Sequence, residues 1–170
     1  MKNPIETQKE GYRQLINLCV AESGRPGLLA FIDKLSDYNG DDEYVTTLNY
    51  VKDYLDENEI HFIMAFDWKQ EVDDLAWRIS SSLRDNYDMN LELPDPGVYG
   101  EQASVSYKNV FKDYDKAVAR GNLKLGFIDT NSDEYVLVLH KKEDERNVRD
   151  AIEKIGYPYL DVSSRKISNE

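Results

Sequence analysis

Apolar residues recur along the chain with two periods, and the alternation between them predicts its elements. Residues 5–22 carry Ile5, Tyr12, Leu15, Ile16, Leu18 and Cys19 ahead of Ser23 and Gly24, the pattern of a helix stopped at a glycine. A short helix over 27–38 follows. Over 42–58, Tyr44, Leu48, Val51 and Leu55 stand at i, i+4, i+7 and i+11, one stripe of a helix. The run Ile60–Phe66 is different: it is short, continuous and rich in aromatic and branched residues, which predicts a strand buried on both faces. Helical spacing returns over 70–87 through Val72, Leu75, Ala76, Ile79 and Leu83.

The segment 93–100 holds two prolines and two glycines and predicts a loop. Ala103–Tyr107 alternates weakly, as a strand would, and 109–120 reads as a helix ending at Gly121. Leu123–Asp129 and Glu134–His140 are apolar runs separated by Thr-Asn-Ser-Asp, which predicts a hairpin. A last helix over 144–155 aligns Val148, Ala151, Ile152 and Ile155 before Gly156.

This order predicts an α+β fold: a small mixed sheet of three to five strands with helices packed on one side of it. At 170 residues the expectation is one domain, with 1–58 helical, 59–161 α+β and 162–170 a tail. The expected core is Leu48, Val51, Leu55, Phe62, Met64, Leu75, Ile79, Leu83, Phe127, Leu137 and Ile152.

Charge narrows the functional classes. The net charge is −12, and residues 1–107 carry all of it, with 9 Lys and Arg against 21 Asp and Glu; residues 108–170 balance at 12 against 12. Such a surface repels phosphate backbones and anionic membranes, so neither nucleic acid nor membrane is expected as a partner, whereas a basic protein is attracted over long range. The acidity also serves solubility by itself. A single cysteine, Cys19, excludes an intrachain disulfide and a cysteine zinc site; on the apolar stripe of the first helix it reads as core. The polar N-terminus and the absence of a run of about 18 apolar residues point to the cytoplasm.

The runs His-Phe-Ile-Met-Ala-Phe-Asp-Trp-Lys at 61–69 and Leu-Gly-Phe-Ile-Asp-Thr-Asn-Ser-Asp-Glu-Tyr at 125–135 resemble those of a family of bacterial cytosolic proteins known as a domain of unknown function. The resemblance spans roughly 43–160. It implies a small bacterial cytosolic protein and no particular activity.

Candidate chemistry therefore rests on the residues themselves. No nucleophile elbow or phosphate loop is present. His61 and His140 read as residues satisfied within their strands, His140 lying at the end away from Asp129 and Asp133. If strand 60–66 runs in the same direction as strand 123–129, Asp67 and Asp129 emerge at carboxyl ends beside the turn holding Asp133, with Trp68 as a wall. These carboxylates could take Mg²⁺ or Ca²⁺, or could only cap a helix and order a turn; no cofactor is otherwise evident. Trp77 lies about 140° from the apolar face of its helix, either packed under the N-terminal helices or exposed as a binding hot spot; packing is the expectation, because those helices need a surface to rest on. Lys108, Lys112, Lys116 and Arg120 form a basic stripe, either a solvated back face or a contact for the acidic region of a second copy. The functional expectation is an acidic module that binds a protein partner, such as an inhibitor or immunity-type protein; the alternative is a small hydrolase or transferase using carboxylates and a divalent cation.

Overall fold

The computed structural model describes residues 2–38 and 46–164, so Tyr44 of the expected stripe and residues 165–170 of the expected tail lie outside it. The elements are α1 (Ile5–Cys19), α2 (Arg25–Asp33), α3 (Thr47–Glu57), β1 (Ile63–Asp67), α4 (Val72–Tyr87), α5 (Val110–Val118), β2 (Leu123–Ile128), β3 (Glu134–Lys141), α6 (Glu145–Ile155) and β4 (Tyr159–Asp161). All eleven expected core residues are buried.

α1 stops before the glycine that the sequence suggested. Its last carbonyls are taken by Arg25 from the start of α2, whose Nε donates to the Val20 carbonyl (2.8 Å) and Nη2 to that of Asn17 (3.0 Å). α3 starts at a true cap, the Thr46 hydroxyl accepting from the Asn49 amide. The weak pattern at 103–107 forms only one antiparallel bridge, Ser104 with Glu71. Three residues of β4 form a strand that has no counterpart in the sequence reading, being too short to show a period.

The strand order is β1-β3-β2-β4 and every adjacent pair is antiparallel. β1 and β2 do point the same way, as anticipated, but β3 lies between them, so the sheet contains no parallel pair and is not mixed. Helices cover both faces rather than one. Ile63, Ile128, Val136, Val138 and Tyr159 face a core shared with α1, α2, α3 and α6. The alternate residues Met64, Phe66, Leu125, Phe127, Leu137 and Leu139 face a second core shared with α4 and α5. Strands buried on both sides read as unbroken apolar runs, which is why β1, β2 and β3 lack polar alternation.

Two close approaches fix this arrangement. α1 meets α6 at Gly11, where a Cβ would stand 2.5 Å from the Ala151 carbonyl oxygen, so only glycine permits the helix spacing. At the free edge of β1, Arg78 from α4 donates through Nη1 to the Ala65 carbonyl (2.8 Å) and through Nη2 to Asp56 of α3 (3.3 Å), while its guanidinium lies over the Phe66 ring. This side chain occupies an acceptor that an incoming strand would need. Among the described residues no helix is long and apolar enough to cross a membrane.

Candidate functional site

The hairpin end of the sheet carries the expected carboxylates. Asp67 pairs in register with Glu134, and Asp129 stands one residue beyond β2, so β1 and β2 deliver both to the same end, beside the turn holding Asp133. Their oxygens are used locally. Asp67 Oδ1 accepts from the Lys69 amide (2.9 Å), and Asp129 Oδ1 accepts from the Asn131 amide (3.0 Å). Among the described residues no three His, Cys, Asp or Glu side chains are grouped as a metal site would need. These acids are engaged as turn-forming side chains.

A feature not visible in the sequence lies beside them. Residues 103–105 are laced to 70–72 by backbone bonds from the Val72 amide to the Ala103 carbonyl (2.9 Å) and from the Val105 amide to the Gln70 carbonyl (2.8 Å). This brings the loop after α4 against the turn after β1. Trp68 (44% exposed) and Tyr107 (51%) each lie two residues outside the laced segments, and Val98 (70%) belongs to the 3-10 turn that precedes them in the same loop. Tyr99 ties that turn down: its ring packs edge-on against Tyr107 at 6.4 Å and its hydroxyl donates to Asp113 (2.7 Å). Three of the four large exposed hydrophobic side chains among the described residues thus belong to segments joined at one end. The proline and glycine content of 93–100 marked a loop, but only the lacing brings it to Trp68.

Trp77 is the fourth, and it is exposed, contrary to the expected packing. α4 packs on the face of the sheet opposite the core of α1, α2 and α3, and although its Arg78 reaches Asp56 of α3, the Trp77 side chain stays outside both cores. Its ring instead meets His61 edge-on, with centroids 4.9 Å apart. Burial lowers the His61 pKa, assisted by Arg78, and keeps the imidazole neutral.

At the opposite end, partners come from four elements. His140 is fully buried; its Nδ1 lies 2.7 Å from the Lys141 carbonyl oxygen and its Nε2 lies 2.8 Å from the Tyr159 hydroxyl. A carbonyl only accepts, so Nδ1 carries the proton and Nε2 accepts from the phenol. Burial lowers the His140 pKa in keeping with this neutral form. The Tyr159 hydroxyl also stands 3.4 Å from Glu145, which binds Lys124 (2.5 Å), and Lys124 reaches Asp161 (3.3 Å). The hydrogen bond from Lys124 depresses the Glu145 pKa. A continuous polar chain therefore runs from the surface to a buried imidazole. It opens on a cleft of about 510 Å³ lined by Lys112, Lys116, Lys124 and Lys142 with Asp115 and Glu145. The basic stripe of α5 divides here: Lys112 and Lys116 line this cleft, Lys116 and Arg120 line the next groove, and Lys108 lines neither.

The family model described as domain of unknown function (DUF6630) matches residues 8–163, and the chain belongs to that family. No curated protein and no solved structure matches it.

Proposed function

We propose that the protein is a binding module that recognises a basic protein partner through the hairpin end of its sheet. The observation that carries this reading is the exposure of Trp68, Val98 and Tyr107 on segments that backbone bonds join at one end of the sheet. Large aromatic side chains fixed in place lose little conformational entropy on binding and supply the anchors of protein interfaces. The segments that carry them hold Asp67, Glu71, Asp95 and Glu101 against Lys69, and Asp133 sits in the turn at the same end of the sheet. An apolar centre with an acidic rim favours a partner presenting apolar side chains among Lys and Arg, and the excess negative charge of residues 1–107 speeds its approach. An inhibitor or immunity-type role fits such a surface. The rival reading, a hydrolase or transferase dependent on a divalent cation, draws no support from carboxylates already engaged in turns.

The test compares wild type with a Trp68→Ala/Tyr107→Ala variant as bait in a native lysate, over a salt series. The reading requires a stoichiometric basic protein held by wild type, lost at least tenfold by the variant, and captured more slowly as salt rises. Equal capture by both baits would sink it. Both side chains are largely exposed, so the variant is expected to melt within a few degrees of wild type.

A further inference from the structure

We infer that the lysine cleft at the opposite end of the sheet binds a small molecule carrying a multiply charged phosphate group. In a chain of net charge −12, four lysines converge on one cleft of about 510 Å³. Lys124 is paired with Glu145 and Asp161. Among the described residues, no ion pair forms between a carboxylate and Lys112, Lys116 or Lys142. The two acids of the lining offset these lysines only in part: Glu145 is held by Lys124, and Asp115, whose Oδ1 accepts from the Leu125 amide (2.9 Å), is the single remaining carboxylate of the lining and feels Lys142 as well as Lys124. The neighbouring groove is a useful contrast, because there Lys116 and Arg120 face Glu92 and Asp113 and the charges balance.

Three cations set against one carboxylate leave the cleft net positive, and a multiply charged anion relieves that excess. Lysine ammonium groups on flexible stems suit phosphate as point charges, without the fixed fork that planar carboxylate recognition uses. Leu123, Ala119 and the aliphatic lysine stems supply an apolar wall for the rest of a ligand. The cleft volume lies in the range of small-molecule sites. A nucleic-acid polymer would extend beyond the cleft into the acidic surface and be repelled there, whereas a compact anion stays within it.

The experiment is a calorimetric titration of the whole chain with pyrophosphate at low ionic strength, repeated with phenyl phosphate to read the apolar wall. Melting temperature and sedimentation are followed in parallel. Saturable binding is expected, weakened at least tenfold in Lys112→Gln/Lys116→Gln, unchanged in Lys108→Gln, and weakened by added salt. The double variant relieves repulsion and is expected to fold. No heat and no melting shift at millimolar pyrophosphate would overturn the inference, as would equal binding by the double variant. A salt-sensitive dimer that the double variant abolishes, without pyrophosphate binding, would assign the lysines to a second copy of the chain and also overturn it.

Discussion

The two ends of the sheet solve the same problem, keeping polar groups satisfied, in opposite ways. At the hairpin end Asp67 and Asp129 are each served by an amide two residues along the chain, from Lys69 and Asn131. At the histidine end His140, Tyr159, Glu145, Lys124 and Asp161 come from β3, β4, α6 and β2 and are joined side chain to side chain, although Asp161 also accepts from Ser163 and Ser164 close by in sequence. Strand register makes the second arrangement possible: Lys124 sits opposite His140, and Gly126 opposite Asp161. Tyr159 is the hinge of it, because its ring lies against Gly126, where a Cβ would overlap it, and beneath the Arg149 guanidinium at 4.6 Å. Local satisfaction leaves side chains replaceable; shared satisfaction makes each member depend on the rest.

The largest effect is expected from Tyr159→Ala, which removes a buried ring and the partner of a buried imidazole. It should cost about 3–5 kcal/mol in urea unfolding. A loss under about 1 kcal/mol would mean that the histidine end is no more cooperative than the hairpin. Next comes Gly126→Ala, which should cost about 1–3 kcal/mol by displacing the Tyr159 ring. An unchanged denaturation midpoint would show that the ring can slide aside. Tyr159→Phe isolates the hydrogen bond, leaving His140 Nε2 buried without a donor, and should cost about 1–2 kcal/mol.

The dependence on pH is expected to be smaller. Burial lowers the His140 pKa first of all; Glu145 and Asp144 oppose that shift and Lys124 reinforces it. In the unfolded chain the imidazole titrates near 6.5. Between that value and the lower folded one the unfolded state binds more protons, so stability is full above about 6.5 and declines as pH falls. His61 contributes with the same sign. Comparing stability at about pH 7.5 and about pH 5.5, His140→Asn should show a shallower decline than wild type; an equal decline would place the titration elsewhere. The smallest effects belong to Asp67→Asn and Asp129→Asn, each within about 0.5 kcal/mol because an acceptor oxygen remains. A cost matching that of Tyr159→Phe would erase the contrast between the ends.

How much of this could be read from sequence follows the same division. Features set by spacing along one element were legible: the buried faces of α3, α4 and α6 and a strand within Ile60–Phe66, observed as Ile63–Asp67; the delivery of Asp67, Asp129 and Asp133 to one end followed only from supposing the strand directions. Lys112 and Lys116 were visible as neighbours on a helix. Their meeting with Lys124 and Lys142 was not, since it depends on how α5 docks on β2 and where β3 ends. Trp77 was misjudged because the helical period gives the angle of a residue on its own helix, not the face of the sheet that the helix covers. β4 and the lacing of 103–105 to 70–72 escaped because three-residue pairings carry no period.

The contact at Gly11 has a consequence for synthesis. α1 buries Tyr12, Leu15, Ile16 and Cys19 in a core it shares with α6, and Asn3 caps the far helix by donating to the Glu153 and Lys154 carbonyls, 150 and 151 residues away in sequence. α1 therefore lacks its main packing partner until α6, more than 120 residues later, has emerged. The part of its apolar face that α6 covers stays open over that stretch of translation, a window in which a chaperone or a misplaced contact can claim it. Closing so long a loop also makes this pairing slow relative to the local helices. Co-translational folding should thus proceed outward from the strands and end, not begin, with the docking of α1 on α6.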